Sequence, residues 1–514
     1  MQKNELLRKW VAEDFVHVSK NSGLDAEDIA EKYFKELISM CMIEPGKIDE
    51  YTNEVLSCRI HDIILDLMRS KANKENFIHV IDGSKVETGE IRRVWVLDND
   101  KDDKRILETI NKGSLSHVRS VLLCRRPLVS NFLEFKYVRV LHLKWSIHGK
   151  SLDLEGIRRL FLLRYLRITW CTGYPRCQLM LPDQIGELQQ LETVHIDAAL
   201  PDGIDKLTSL RTLEGVSVTE SSVENIKGLC KLINLRKLHI SSREVPQHKE
   251  EANIRMNALH SSICMIATNL RTLTFEGWVT VPNVGGWSSS VFPPVNHIQE
   301  LDLLSCKFER CPEWFGQLHH LYKLSIKVRK VADAFGILAK LTSLAYFKLV
   351  NEYLSKDERE NKESVVIPGS GAFESLKHLI FYCKMAELSF ELGAMPKLEK
   401  LGIEFRYNTK RRFLPVGIMH LPARTLKEIS LYAPSWDGRI IKDSGEYIRT
   451  LMPMLMKPFK QQQPTADLHI YIDGDEQDYS SEEDVYSAND EEDSEEDYYT
   501  EEDDDTSSTS STSG

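Results

Sequence analysis

The sequence is short of several things that would have decided its class at once. Its longest apolar runs fall well below the roughly 18–20 residues that span a bilayer, and its first ten residues mix Lys, Glu and Arg among the apolar positions and form no secretory h-region. The 10 cysteines include no Cys-x-x-Cys pair, and the closest two, Cys306 and Cys311, match no common zinc spacing. No Asn opens an Asn-x-Ser/Thr sequon. Together these absences favour an intracellular chain with reduced thiols. His-Glu-x-x-His and Gly-x-Ser-x-Gly are also missing, and the sequence points to no enzyme. From Asp473 to Gly514 there are 19 acidic residues and no Lys or Arg.

That last absence reorganises the charge. The formal net charge is −12, from 66 basic and 78 acidic residues, but the 66 basic residues face only 59 acidic ones between Met1 and Ile472, a balance of +7. An ordinary, mildly basic body carries an acidic tail, and +7 is too dilute to indicate specific nucleic-acid binding. The tail lacks the apolar area to offset its chain entropy, so disorder is expected over 473–514. Ser480, Ser481, Ser487, Ser494 and Thr500 each have an acidic residue three positions on, the pattern favoured by acidophilic kinases, and are candidate phosphorylation sites. A tail with a function would bind basic surfaces in a salt-sensitive way. The alternative is an unmodified solubilising tail.

The middle of the chain is periodic. An apolar-x-x-apolar-x-apolar motif recurs with its central residue at Val94, Val121, Leu141, Leu166, Val194, Leu213, Leu238, Leu273, Leu301, Leu324, Phe347, Leu379, Leu401 and Ile429. The spacings run from 19 to 35 residues and average near 26, close to the roughly 20–29 of leucine-rich repeats. The copies at Ile298-x-x-Leu301-x-Leu303-x-x-Cys306-x-Phe308 and Leu163-x-x-Leu166-x-Ile168-x-x-Cys171 keep the longer form. The expected fold is an α/β leucine-rich-repeat solenoid, in which each unit has too little core alone and stacks to bury a continuous spine. Parallel strands line its concave side and alternate between spine and solvent.

The solvent-facing position after each central residue therefore forms a candidate protein-binding column. Its charged and polar members include His142, Arg167, His195, Glu214, His239, Asp302 and Lys348. Three histidines in one column raise a metal site, but they sit two strands apart, roughly 10 Å, too far for shared coordination. No metal is expected.

Before the repeats, Asn4–Phe15 and Asp25–Met42 read as helices, Val55–Ile60 as a strand, and a stripe of Ile60, Ile64, Leu67 and Met68 as a third helix. That order suits a winged helix. DNA reading is the first alternative, but the second helix carries Asp25, Glu27, Asp28, Glu31 and Glu36, which would repel phosphates.

Three segments here carry a resemblance. Leu7-Arg8-Lys9-Trp10-Val11-Ala12-Glu13-Asp14-Phe15 resembles the "L-x-x-W-x-A-E-G-F" segment of plant intracellular nucleotide-binding leucine-rich-repeat (NLR) disease-resistance proteins. Ala30-Glu31-Lys32-Tyr33-Phe34-Lys35-Glu36-Leu37-Ile38 resembles their "A-E-x-Y-F-x-E-L-I", and Ile60-His61-Asp62 their Met-His-Asp motif. Gly393-Ala394-Met395-Pro396-Lys397-Leu398 is similar to the late repeats of that family's coiled-coil branch. The resemblance implies a partial winged-helix domain over 1–80, repeats over 81–436, a cap over 437–472 and the tail over 473–514. It implies that His61 senses the bound nucleotide, with Asp62 as its structural partner, and that the family's cofactor is ADP or ATP.

Gly-x-x-x-x-Gly-Lys-Ser/Thr occurs nowhere in the sequence, so no cofactor is expected in this chain itself. The expectation is the C-terminal part of such a receptor, from a truncated product or an incomplete gene model. Its repeats would recognise a pathogen effector or a guarded host protein and regulate a nucleotide-binding domain supplied elsewhere. The alternative is a truncated scaffold or decoy that binds host proteins. The expected location is the cytoplasm, with the nucleus and the plasma-membrane periphery as alternatives.

Overall fold

The structure is a computed structural model, and it describes residues 1–18, 24–49, 53–75, 77–81, 91–96, 117–124, 135–145, 154–170, 181–242, 248–277, 297–351, 363–382, 386–404, 417, 420–422, 424–434 and 467–473. The chain divides into two units, Met1–Ile472 and Asp473–Gly514.

Helix α1 (Lys3–Ala12) and helix α2 (Ala26–Ser39) open the chain. Asp25 caps α2 reciprocally: its carboxylate accepts from the Asp28 N–H at 2.9 Å, and the Asp28 carboxylate accepts from the Asp25 N–H at 3.2 Å. This satisfies two of the N–H groups a helix start leaves unpaired. The short strands β1 (Glu44–Pro45) and β2 (Cys58–Arg59) pair antiparallel, and helix α3 (Asp62–Lys74) follows. Leu7, Val16, Ile29, Ala30, Phe34, Ile43 and Cys58 form a small local core. The stripe expected to bury α3 is only partly covered: Ile60 and Ile64 are half-buried, but Leu67 is 58% exposed and Met68 38%.

The solenoid begins with β3 (His79–Ile81), β4 (Arg93–Val96), β5 (Ser120–Cys124), β6 (Val140–Trp145), β7 (Tyr165–Trp170), β8 (Thr193–Ala199), β9 (Thr212–Ser217) and β10 (Lys237–Ser242). It continues through β11 (Thr272–Gly277), β12 (Glu300–Arg310), β13 (Lys323–Lys330), β14 (Tyr346–Asn351), β15 (Glu363–Ile367), β16 (His378–Tyr382), β17 (Ala386–Phe390), β18 (Lys400–Glu404), β19 (Glu428–Pro434) and β20 (Asp467–Asp473). All but β15 and β17 join one 16-stranded sheet in chain order; those two pair separately. The fourteen central apolar residues of the repeat motif lie in register across it, as in Leu141 opposite Leu166 and Leu301 opposite Leu324. They belong to one continuous buried spine running from Ile91 to Ile429. Cys306 and Phe308 are buried in that spine, where the extended repeat form put them.

The periodicity did not reveal β3, β20 or the β15–β17 pair. It also missed an irregularity in β9. Leu213 opposes Leu238, but Val216 opposes Ile240, so Glu214 and Gly215 together face His239. Gly215 takes φ +79°, and a Cβ there would meet the Ile196 carbonyl oxygen at 2.0 Å. Only glycine fits this bulge, and bulges turn neighbouring side chains out of line.

Candidate functional site

The concave column does not lie empty beneath solvent in its first half. Helix α1 lies across it. Ala12 packs on Val140 of β6 and Tyr165 of β7, three side chains that form their own buried cluster. Charged residues spaced three and four apart on α1 then share one face and reach down. Glu5 takes Arg167 at 2.7 Å and its own helix neighbour Lys9 at 2.5 Å, while Arg8 reaches Glu214 at 3.1 Å. Lys9 also lies over the Tyr165 ring, 5.7 Å from its centroid. The bulge at Gly215 places Glu214 so that it accepts from Arg8 and also meets Lys237 and His195, both at 2.8 Å.

The electrostatics follow from this burial. Desolvation alone would raise the Glu5 carboxyl, but Lys9 and Arg167 outweigh it and hold it at about 2. Glu214 is likewise held well below the ordinary range, Lys237, Arg8 and His195 overcoming burial. His142 goes the other way for a histidine. Burial, with Lys9 beside it, lowers it to about 3 despite Glu5. Lys9 donates to His142 Nδ1 at 3.4 Å and Nε2 is buried without a partner, consistent with a neutral ring whose second nitrogen has no anion to reward protonation.

A second set of contacts runs along one edge of the sheet. Two residues before the central apolar residue stand Arg92, Arg119, Arg139, Arg164, Glu192, Arg211, Arg236 and Arg271. Their backbone carbonyls join successive repeats: the Arg139 oxygen accepts from the N–H groups of Arg164 and Tyr165. The N-terminal segment meets this arginine column with carboxylates. Asp14 accepts from Arg139 and from Arg164, the latter at 2.5 Å. Asp25 accepts from Arg236, and Glu27 lies 3.7 Å from it. Asp25 falls below its ordinary pKa; burial opposes this, but the Asp28 N–H and Arg236 prevail.

At the start of the sheet, Arg93 of β4 makes two bonds to Glu13, at 3.2 and 2.8 Å. Its guanidinium lies over two rings, 4.9 Å from the centre of Phe15 and 4.0 Å from that of Phe77. Farther along the sheet, burial and the Glu300 carboxylate, which accepts from the Tyr322 hydroxyl, push that hydroxyl up. The contacts of the N-terminal segment thus run along the sheet from Arg93 to Arg236.

Of the candidate column, His142, Arg167, His195 and Glu214 are therefore brought together beneath α1. His239, Asp302 and Lys348 lie outside this cluster. His239 Nε2 is 2.9 Å from Glu276. Asp302 is half-buried, with Oδ1 accepting from the Leu304 N–H at 3.2 Å, and burial raises its carboxyl against Lys348 and Lys323. Lys348 lies 5.3 Å from the centre of the Tyr382 ring. Among the described residues no group of His, Cys, Asp or Glu could hold a metal ion.

His61 and Asp62 sit exposed at the start of α3. His61 Nδ1 accepts from the Ile63 N–H at 3.3 Å, the arrangement of a helix-start residue. An exposed histidine bonded to its own helix, in a chain without the phosphate-cradling loop, does not by itself make an ADP or ATP site. Ser480, Ser481, Ser487, Ser494 and Thr500 lie outside the described residues. So do 19–23, between the Asp14 and Asp25 contacts.

A solenoid of leucine-rich repeats joined to a winged helix is the class these features define. Comparison with known proteins agrees. A profile described as "Leucine-rich repeat region" matches residues 176–441, and one described as "Disease resistance protein Winged helix domain" matches residues 1–68. The chain is 34% identical over 457 residues to "Disease resistance protein RGA5" of Oryza sativa subsp. japonica, covering 82% of this chain and 39% of that protein. It is 26% identical over 429 residues to "ToMV resistance protein Tm-2(2)" of Solanum lycopersicum, covering 78% and 46%. Among solved structures, an internalin from Listeria monocytogenes matches at 12% identity and a TM-score of 0.39, covering 68% of this chain and 88% of that one. The chain belongs to the leucine-rich-repeat proteins of the plant NLR disease-resistance family. It spans less than half the length of these two plant relatives. Among its described residues no helix is long and apolar enough to cross a membrane.

Proposed function

We propose that this chain is the sensor part of an intracellular immune receptor. Its repeats bind a protein, a pathogen effector or a guarded host protein, and the winged helix passes that event to a nucleotide-binding domain. A non-enzymatic binding role fits a solenoid whose polar column serves contacts with protein. The observation that carries the reading is α1 lying on the concave face through Glu5–Arg167 and Arg8–Glu214. The element that would couple to the switch is in direct contact with the surface that would meet the partner. A ligand that competes for, or strains, that contact biases a two-state element. Asp302, Lys348, Ile380 and Tyr382, beyond the N-terminal contacts and half-buried, are the proposed side of first engagement.

The test joins this chain to the preceding domains of a family member and scores cell death in leaves. Charge reversal at Arg8, which separates α1 from Glu214, is expected to give signalling without a partner. Substitutions at Asp302 and Lys348 should leave the resting state quiet and abolish partner-dependent signalling. A resting chain indifferent to Arg8→Glu would refute the coupling.

A further inference from the structure

The contacts between α1 and the repeats are not equally accessible. Glu5, Arg8, Arg167 and Glu214 have side chains 10–22% exposed. Asp14 is different: its side chain is 46% exposed, and its arginine partners are 24% and 26% exposed. Its backbone is also in the left-handed region. The Asp14 N–H donates to the Val11 carbonyl at 3.1 Å and the Phe15 N–H to the Trp10 carbonyl at 3.0 Å. That pair of bonds closes the helix in a Schellman cap and puts Asp14 at the left-handed position, φ +60°. Glycine is the ordinary occupant there, and a residue with a Cβ is disfavoured. From this position the Asp14 carboxylate reaches two arginines of adjacent strands.

The surroundings explain what that contact controls. At its N-terminal end α1 is held within the winged helix, where Lys3 reaches Glu31 and Glu54, both at 3.3 Å. At its C-terminal end it is held to the repeats by three consecutive residues. Glu13 and Phe15 take Arg93, and Asp14 takes Arg139 and Arg164. Of that clip Glu13 is buried, while Asp14 and Phe15 are exposed, and Asp14 is its exposed charge.

We propose that Asp14 is an electrostatic latch: its pairing with Arg139 and Arg164 holds the end of α1 down over His142, Arg167, His195 and Glu214, and its release exposes that half of the concave face. A partner would spring the latch by presenting a carboxylate to the arginine column, in competition with Asp14. This deepens the function proposed above by naming its regulated contact, yet the latch itself is tested on the chain alone, without signalling, so that the two can fail separately.

The experiment is amide hydrogen exchange of α1 in the full chain at low and high salt. Asp14→Asn keeps a residue tolerant of the left-handed region and removes the charge. Asp14→Gly relieves the backbone and removes the side chain. Arg139→Gln with Arg164→Gln leaves Asp14 in place. At low salt all three are expected to speed exchange of residues 5–12 by about three- to tenfold, the range of two partly exposed ion pairs. High salt should bring the unaltered chain towards the variants. Adding Asp14→Asn to the arginine pair should then do little more, since the contact is already lost. If Asp14 is only a turn residue, Asp14→Asn leaves exchange unchanged and Asp14→Gly slows it; either result overturns the proposal. So does full additivity of the two sets. Unchanged exchange in β12–β14 reports that the spine remains folded in each variant.

Discussion

The buried ionic cluster under α1 gives the molecule a defined response to acid. His142 at about 3 and Glu5 at about 2 both lie below their ordinary values of 6.5 and 4.5. Between pH 6.5 and 3 the unfolded chain binds a proton at His142 that the folded chain refuses, so stability falls as pH falls. Between pH 4.5 and 2 Glu5 adds to the same slope, because its pairing with Arg167 and Lys9 is lost on protonation. Stability is expected to be fully present above pH 6.5 and to decline by a few kcal/mol on the way to pH 3. His142→Gln should flatten the upper part of that decline, from pH 6.5 to 4.5, and leave the lower part. Thermal unfolding midpoints across pH check this, and an unaltered upper slope in the variant would count against the assignment. The column position of His142, Arg167, His195 and Glu214 was legible from the repeat phase. Their covering was not, because α1 comes from a helix whose outward face cannot be read from its own sequence. A signal was nonetheless there: Arg recurs two positions before the central residue, and Asp14 stands where the resembled segment carries glycine.

At the scale of elements, the sheet is a repeated strand with one deliberate fault. The bulge in β9 sets Glu214 among Arg8, His195 and Lys237, and it depends on Gly215. Gly215→Ala forces a Cβ against the Ile196 carbonyl and a left-handed alanine. Loss of more than about 2 kcal/mol of stability is expected, with weakened docking of α1 because Glu214 must move. Denaturant unfolding with α1 exchange measures both. A variant as stable as the parent would show that the bulge is adaptable. Strand periodicity is readable because spine residues alternate strictly with solvent-facing ones. A two-against-one irregularity breaks no hydrophobic pattern, so Gly215 looks in the sequence like any glycine. The stripe of α3 misled for a related reason. Apolar spacing shows that a face wants cover, and among the described residues Leu67 and Met68 remain exposed.

Across the whole molecule, the winged helix changes what kind of object a solenoid is. Repeats joined only to their neighbours unfold as a one-dimensional chain, fraying from weak points. Here Arg93, Arg139, Arg164, Arg167, Glu214 and Arg236 are all tied to one N-terminal body. The strands from β4 to β10 are therefore expected to open together, and β14 to β19 independently of them. Hydrogen exchange as a function of denaturant distinguishes one shared opening energy from a graded series. Combined Arg8→Glu and Arg236→Glu should convert the shared opening into a graded one. A graded series in the unaltered chain would show that the ties are too weak to matter.

The pairing of Arg8 with Glu214 spans 206 residues of sequence, and this bears on how the protein is made. At about 5–20 residues per second of synthesis, the helix would wait roughly 10–40 s for its acidic partner. Its apolar side is spared that wait, because Leu7 packs locally with Ile29 and Phe34. The winged helix can thus mature early while its charged side stays hydrated, and the repeats close beneath it afterwards. The pair can close only after Glu214 has been made, which leaves the first repeats open, during every round of synthesis, to any factor that must see them bare.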